Sequence, residues 1–284
     1  MYLLFDIGGT KTRIALSKDG ETFEEPLVFS TPTDYEEGIN FFSNIKKELI
    51  GEEDFILSAG SIAASFNRES SILTGGGLQI KDWLGKPIKK DMERALNCPV
   101  YIVNDTMMGG LAQAHMGSGK NFSIVAYITV STGVGGARIV DGKIDRNNFG
   151  FEPGRQIIDA GNALCNGWSK RGFLDDYISG MAIEKNKGIK PEDIQDKEFW
   201  KSRADFLALG LYNITTMWSP DIIVIGGSVM KSIPFDYLEE KYKEILKGTF
   251  PNERTPLAPA EFGDEMGLYG SLVFVKEYNK MGNQ

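Results

Sequence analysis

The chain has 284 residues, and its 31 lysines and arginines against 39 aspartates and glutamates give a formal net charge of −8. This acidic balance argues against a surface for nucleic acid or anionic membranes, and no apolar run approaches the ~18–20 residues of a membrane-spanning helix. One histidine and two cysteines argue against a Ser-His-Asp or Cys-His nucleophile, a four-ligand Cys/His zinc site and a disulfide framework. A reducing cytoplasm is therefore the expected setting.

The first part of the chain predicts a hairpin meander followed by alternating helix and strand. Asp19-Gly20 is a turn dipeptide that closes a hairpin, and apolar residues at helical spacing follow it. The predicted elements are strands at 2–5, 14–16 and 26–29, a helix at 39–49, a strand at 55–57, a helix at 89–96 and a strand at 100–103. This order favours an α/β fold with a mixed sheet.

The second part repeats the plan of the first, with a strand, a Thr/Gly turn, another strand and the Asp141-Gly142 turn. The predicted elements are strands at 123–129 and 137–140, a helix at 204–218, a strand at 222–225 and helices at 235–246 and 268–278. The charged segment 184–201 is expected to be a solvated connection. We therefore expect two lobes of similar topology with a ligand cleft between them.

Two glycine-rich turns have the composition of phosphate-binding loops. Gly8-Gly9-Thr10-Lys11 joins the first two predicted strands, and Thr132-Gly133 lies in the corresponding turn of the second part. Glycine lets backbone N–H groups approach a phosphate closely, and the Thr hydroxyl and the Lys ammonium add donors. Asp6, before the first turn, is a hard oxygen ligand suited to Mg²⁺, held through water. An ordinary hairpin turn explains each loop alone, whereas a nucleotide triphosphate between the lobes explains both.

Two further candidates follow predicted strands at their carboxyl ends, where ligands bind in open α/β sheets. Asn104-Asp105 comes before a helix-like segment at 107–116. Asp105 fits either a helix N-cap or a general base that accepts the proton of a substrate hydroxyl during phosphoryl transfer. Gly226-Gly227 fits either a plain strand-to-helix turn or space for a flat ring such as adenine.

Together these motifs resemble the ROK family of sugar kinases and repressors, in the actin/hexokinase/Hsp70 ATPase superfamily. The resemblance covers nearly the whole chain in order and rests on residues 6–11, 104–105, 132–136, 221–227 and 267–270. It implies two ribonuclease-H-like lobes with mixed sheets flanked by helices, an ATP cleft with Mg²⁺, and phosphorylation of a hexose hydroxyl. The implied division is 1–105 for the N-terminal lobe, with a C-terminal helix 267–284 packing back on it, and 106–266 for the C-terminal lobe.

The resemblance also implies roles for individual residues. Asp105 matches the family's catalytic base, and Asn104 matches a sugar-binding Asn. The first phosphate loop is matched by Gly8, Gly9, Thr10 and Lys11, the second by Thr132 and Gly133, and the adenosine site by Gly226 and Gly227. ROK repressors carry an N-terminal helix-turn-helix, whereas this sequence starts at the phosphate loop, which favours the kinase branch. A homodimer is the family's default.

The sugar-binding signature is altered in this chain. Glu152 matches a sugar-binding Glu, but Arg155 stands where the family has a His, and Asp175 replaces the last sugar-binding Glu. Arg155 is a fixed cation with several donors. It therefore fits two interpretations equally well, a contact with the sugar or an ion pair with Glu152 or Asp175.

The zinc module of the family is also altered, because its three cysteine positions are Asn166, Trp168 and Phe173. We expect no zinc here and a segment held by packing, since Trp168 and Phe173 are large enough to fill the volume of a metal knuckle. A reorganised metal site with Asp and Asn ligands is the alternative.

The sequence thus predicts an ATP-dependent, glucokinase-like hexose kinase that binds a small sugar. Glucose is the first expected substrate, and fructose or an N-acetylhexosamine comes next. Gly77 occupies the position of a family Asn, so a sugar contact is expected to be lost there or replaced by a backbone amide. This change and those at Arg155 and Asp175 motivate one rival, a non-catalytic sugar or nucleotide sensor of the same fold. A second rival is a superfamily member that acts on another alcohol or on a carboxylate. Asp6, Asp105 and both phosphate loops are intact, which favours the enzyme.

Overall fold

The chain divides into two compact units, each assembled from separate stretches of sequence. A computed structural model describes residues 1–51, 53–67, 72–76, 78–148, 150–161, 163, 169–249 and 255–282. Unit 1 consists of residues 1–115, 146–150 and 264–284, and unit 2 consists of residues 116–145 and 151–263.

The described residues form mixed strands and helices throughout both units. The strands are β1 (Tyr2–Ile7), β2 (Lys11–Ser17), β3 (Leu27–Ser30), β4 (Leu57–Ile62), β5 (Ala64–Phe66), β6 (Leu73–Gly76), β7 (Val100–Asn104), β8 (Ile124–Val130), β9 (Val134–Val140), β10 (Lys143–Ile144), β11 (Ile222–Gly226) and β12 (Leu257–Pro259). The helices are α1 (Tyr35–Ile50), α2 (Ile88–Leu96), α3 (Asp105–His115), α4 (Leu174–Ile178), α5 (Gly180–Lys187), α6 (Lys197–Trp218), α7 (Phe235–Leu246) and α8 (Met266–Gly282). Among these helices, none is long and apolar enough to cross a membrane.

Unit 1 is built on a five-stranded sheet in the order β3-β2-β1-β4-β7. The strands β1, β2 and β3 form an antiparallel meander, whereas β4 and β7 continue the sheet in parallel. One apolar cluster contains Phe5, Phe42 and Trp83, and a second one packs Leu4 against Leu268 of α8. Burial of both faces explains why β1 is almost continuously apolar and why β4, which is buried along its whole length, consists of apolar and small residues.

Unit 2 has a five-stranded sheet in the corresponding order, β10-β9-β8-β11-β12. The strands β8, β9 and β10 are antiparallel, and β11 and β12 add in parallel. Helices α4, α6 and α7 contribute to a single large apolar core with β8 and β11. The repeated topology confirms the predicted α/β class, with two mixed sheets flanked by helices.

Two expectations about organisation differ from the structure. Helix α3 belongs to unit 1 and not to the second lobe, because it packs closely on α8: a Cβ at Gly270 would lie 2.1 Å from the carbonyl oxygen of Met108. The segment 184–201 is exposed over most of its length, as expected, but it is only in part a connection, since it contains the end of α5 and the start of α6. Trp200 is buried there and donates its indole N–H to the carbonyl of Ile194 at 3.0 Å.

Candidate active site

Asp105 is the first residue of α3, directly after β7 ends at Asn104. Its Oδ1 accepts hydrogen bonds from the Thr106 N–H at 2.8 Å and the Thr106 hydroxyl at 3.3 Å. Asn104 accepts from the same N–H at 2.9 Å and donates its amide to the carbonyl of Ala64 at 3.1 Å. The two side chains therefore share the capping of α3, and this sharing fixes the orientation of the Asp105 carboxylate.

The basicity of Asp105 is increased by its surroundings. Solvent reaches the residue, but protein atoms surround the carboxylate densely, and this desolvation raises its pKa to about 6. The negative charge of Asp6 raises the pKa further, whereas the hydrogen bonds from Thr106 and Asn104 lower it. A carboxylate with this pKa is mostly ionised at neutral pH and is a stronger base than an ordinary aspartate, which suits general base catalysis.

Asp6 lies at the end of β1, in register with Ser61 on β4. The Ser61 hydroxyl donates to its Oδ1 at 2.6 Å. The start of α8 approaches so closely that a Cβ at Gly267 would lie 2.6 Å from the carboxyl carbon of Asp6. Burial raises the pKa of Asp6, while the Ser61 hydrogen bond and the charge of Arg13 lower it.

The donor set around Asp6 fits Mg²⁺ only in part. This ion usually takes one or two protein carboxylates and completes its octahedron with phosphate oxygens and water. Within the described ranges, no group of three or more His, Cys, Asp or Glu side chains could hold a metal by itself. Asp6 therefore fits an ion that arrives with nucleotide phosphates, and not a permanent all-protein site.

The first glycine turn is held from outside by Thr31. The Gly8 N–H donates to the carbonyl of Lys11 at 2.9 Å, which closes the turn between β1 and β2. Thr31 donates its hydroxyl to the Gly8 carbonyl at 2.8 Å and its N–H to the Thr10 carbonyl at 3.0 Å. Thr10 and Lys11 are exposed and available to a ligand. Sequence reasoning missed Thr31, because only the β2–β3 pairing brings it to the turn.

The second glycine turn lies between β8 and β9 and is fixed on both sides. The Ser131 N–H donates to the Gly133 carbonyl at 2.8 Å, and the Gly180 N–H donates to the Ser131 carbonyl at 2.7 Å. On the other side, Oδ1 of Asp175 accepts the Val134 N–H at 2.8 Å. The Thr132 residue is exposed at the tip of this turn.

Gly226-Gly227 meets the second turn within unit 2. Gly227 has φ +102°, and a Cβ there would lie 2.2 Å from the carbonyl oxygen of Val130, so only glycine fits. The next residue, Ser228, is joined to Ser131 by a hydrogen bond of 3.0 Å between their hydroxyls. The predicted adenosine turn and the predicted second phosphate turn are therefore neighbours.

Three residues of the sugar-binding signature, the matching Glu152 and the altered Arg155 and Asp175, interact electrostatically in unit 2. Glu152 is exposed, but neighbouring protein atoms partly desolvate its carboxylate and raise its pKa; the positive charge of Arg155 lowers it and the negative charge of Asp175 raises it. Burial also raises the pKa of Asp175, while the Val134 hydrogen bond and then Arg155 lower it. The Arg155 guanidinium lies 5.8 Å from the ring centroid of Phe173. The positive charge of Arg155 thus stabilises the ionised forms of two carboxylates, and Arg155 itself is exposed to solvent.

The segment expected to replace the zinc module is described only in part. Asn166 and Trp168 lie outside the described residues, as does Gly77. Phe173 is half-buried, so its packing contributes to holding the segment. The expectation of apolar packing was incomplete, because the buried carboxylates of Asp159 and Asp176 also accept hydrogen bonds from this segment.

A model of the ROK family matches residues 2–278 of this chain. The chain belongs to the ROK family. An N-acetyl-D-glucosamine kinase from Mannheimia succiniciproducens is 28% identical over 94% of this chain and 96% of its own length. This finding confirms the family recognised from the glycine turns and the Asn-Asp pair.

Solved structures agree with the family at the level of the fold. A ROK hexokinase from Thermus thermophilus has a TM-score of 0.83 at 23% identity, and the match covers 99% of both chains. A ROK glucokinase from Streptomyces griseus, solved with glucose and AMPPNP, has a TM-score of 0.77 at 20% identity over 97% of this chain and 99% of its own. At these identities the likeness shows the shared two-lobed fold.

Proposed function

We propose that this protein is an ATP-dependent sugar kinase that transfers the γ-phosphoryl group of ATP to a hexose hydroxyl, with Asp105 as the general base. The oriented and desolvated carboxylate of Asp105, at the N-terminus of α3, is the observation that carries the proposal. Its pKa of about 6 lets it accept the proton of the attacking hydroxyl at neutral pH. Phosphoryl transfer depends mainly on positioning and on stabilising charge, so few other reacting side chains are needed.

The remaining residues of unit 1 divide into sugar and phosphate contacts. Asn104 is proposed to bind the sugar beside Asp105. The backbone of Gly8 and Gly9, with Thr10 and Lys11, is proposed to bind phosphate oxygens, because their turn is preorganised and its tip is exposed. Asp6 is the proposed contact for Mg²⁺ held through water, and the ion would supply neutralisation of charge on the phosphates.

The residues of unit 2 are proposed to bind the rest of the two substrates. Thr132 and Gly133 would bind phosphate, and Gly226 and Gly227 would accommodate adenosine. Glu152, Arg155 and Asp175 would bind sugar hydroxyls, with the carboxylates as acceptors and Arg155 as donor. Substrate assignments of relatives support either glucose or its N-acetylamino derivative, since the solved glucokinase holds glucose and the 28%-identical relative is an N-acetyl-D-glucosamine kinase.

The test is ADP release, followed by chromatography, from purified protein with MgATP and a panel of hexoses, N-acetylhexosamines and small acids. We expect turnover with glucose or an N-acetylhexosamine, and we expect Asp105→Asn to lower kcat by ~10²- to 10⁴-fold while AMPPNP still binds. Asp19→Asn is the matched control, because Asp19 is an exposed turn carboxylate of unit 1 that also accepts backbone N–H groups.

Three results would decide against parts of the proposal. Near-normal turnover by Asp105→Asn would remove Asp105 as the base. Sugar binding without ADP release would support the non-catalytic sensor. Turnover with an acid but with no sugar would place the protein in the second rival class.

A further inference from the structure

The short helix α4 connects three other segments of unit 2 through three consecutive polar side chains. Asp175 accepts the N–H of Val134 at the start of β9. Tyr177 donates its hydroxyl to Oδ2 of Asp159 at 2.6 Å. Asp176 lies between them in the sequence and is 3% exposed. Burial of a carboxylate is costly unless its oxygens are hydrogen-bonded, so Asp176 needs hydrogen-bond donors around it.

Asp176 accepts three hydrogen bonds from two residues. Its Oδ2 accepts the Ser169 hydroxyl at 2.6 Å and the Phe173 N–H at 3.2 Å, and its Oδ1 accepts the Ser169 N–H at 3.2 Å. The Phe173 bond is the ordinary contact between the third residue of a helix and its N-cap. The two bonds to Ser169, seven positions upstream, serve no helix-capping purpose. They bind α4 to the chain that leads into it.

The backbone around α4 shows what these bonds hold. Residues 156–159 and 172–174 run antiparallel, with the Ile158 N–H on the Gly172 carbonyl at 2.9 Å. Residues 160, 161, 163 and 169–171 are the described part of the chain between them. Oδ1 of Asp159 accepts the Ala163 N–H at 2.8 Å near its beginning, and Asp176 binds Ser169 near its end. A buried carboxylate thus binds the described residues at each end of this part of the chain.

Two proposed sugar contacts depend on this arrangement. Asp175 immediately precedes Asp176 on α4, and the guanidinium of Arg155 lies over the ring of Phe173, whose N–H is bound by Asp176. A change at Asp176 would therefore displace both contacts together. Charge-assisted hydrogen bonds are about twice as strong as neutral ones, which suits them to fix such a segment.

We propose that Asp176 is a positioning residue of the sugar site: it holds Asp175 and the Arg155–Phe173 pair in place through Ser169 and Phe173, and so sets affinity for the sugar without touching it. This inference rests on the proposed function, because it takes Asp175 and Arg155 as sugar contacts. In this inference, the carboxylate of Asp176 holds Ser169 and Phe173 in the segment where the family resemblance implies a zinc module.

The decisive experiment compares Asp176→Asn, Ser169→Ala and their double variant in steady-state kinetics with sugar and MgATP varied separately. Loss of a hydrogen bond to a charged group corresponds to a ~10- to 100-fold effect, so Asp176→Asn should raise the KM for sugar by this factor. The kcat and the KM for MgATP should stay within about two-fold of their original values. The Ser169→Ala change should act in the same direction, and the double variant should be no worse than Asp176→Asn, because both changes break one network.

Asp196→Asn is the matched control, since Asp196 accepts the N–H groups of Glu198 and Phe199 at the start of α6 and carries none of the proposed contacts. It should lower thermal stability and leave the KM for sugar unchanged. An unchanged sugar KM in folded Asp176→Asn, parallel changes in kcat and both KM values, or strictly additive effects would each overturn the proposal.

Ser169→Ala keeps the test valid if Asp176→Asn does not fold, because it removes one hydroxyl and leaves the carboxylate with its Phe173 bond. An unchanged sugar KM in that variant would then also overturn the proposal. A wild-type protein that turns over no hexose would refute the proposed kinase instead. In that case, calorimetric binding of glucose and N-acetylglucosamine to wild type and Ser169→Ala still tests the positioning role, with weaker binding by the variant expected.

Discussion

The pH dependence of the reaction provides a quantitative test of Asp105 as a desolvated base. Only the ionised carboxylate accepts a proton, and desolvation by the surrounding protein atoms, with the charge of Asp6, raises its pKa from 3.8 to about 6. The ionised fraction of such a group is about nine-tenths at pH 7 and about one-tenth at pH 5, so kcat should fall ~10-fold between these values. An ordinary aspartate would still be about 94% ionised at pH 5 and would produce almost no fall.

The assay is direct chromatographic measurement of ADP at saturating sugar and MgATP, because coupling enzymes have their own acid limits. ATP also titrates, so a variant must separate the two effects. Thr106→Val removes a hydroxyl that lowers the pKa of Asp105 and leaves ATP unchanged. The acid limb should therefore move to higher pH in this variant. A wild-type limb centred near pH 4, or a limb that is identical in Thr106→Val, would refute the reasoning.

Three further predictions concern stability and ion binding. Ser61→Ala removes the 2.6 Å donor that orients the Asp6 carboxylate, so the Mg²⁺ concentration required for half-maximal rate should increase, by a factor corresponding to at most ~1.5–3 kcal/mol. Gly227→Ala should destabilise the fold by more than ~3 kcal/mol in urea titration, whereas Gly188→Ala, at φ +74° with open space around it, should cost only ~1 kcal/mol. Asp105→Asn should raise Tm at pH 7 but not below pH 4. The pKa of Asp105 is about 6 in the folded state and about 3.8 in the unfolded state, so ionisation of this carboxylate destabilises the fold as pH rises from about 4 to about 6, and the Asn variant avoids that loss. An unaltered Mg²⁺ requirement would contradict the prediction for Ser61→Ala. Equal effects of the two glycine changes would contradict the second prediction, and equal Tm values of Asp105→Asn and wild type at pH 7 would contradict the third.

The strand plan was predictable because its signals are local. Apolar runs bounded by turn residues marked the meander in each half, and the glycine turns followed from their composition. Element boundaries were less well determined, since the predicted strand at 55–57 is β4 at Leu57–Ile62. The helix α6 begins at Lys197, earlier than the predicted 204, because Asp196 caps it there. The charged residues of this largely exposed segment concealed that helix start and the buried Trp200 within it.

The sequence by itself determined the family, the candidate base and the two glycine turns, because these are contiguous motifs whose chemistry depends on residue type and local order. Only the tertiary structure showed the side chains that support them. Ser61 reaches Asp6 through strand register, Thr31 reaches the first turn through the β2–β3 pairing, and Asp176 reaches Ser169 through the return of the chain before α4. These contacts join residues that are distant in the sequence, so they could not be predicted from residue type or local order. The scarcity of histidine and cysteine argued against a Cys/His zinc site. Only the fold showed that the buried carboxylate of Asp176 binds Ser169 in the segment that replaces the family's zinc module.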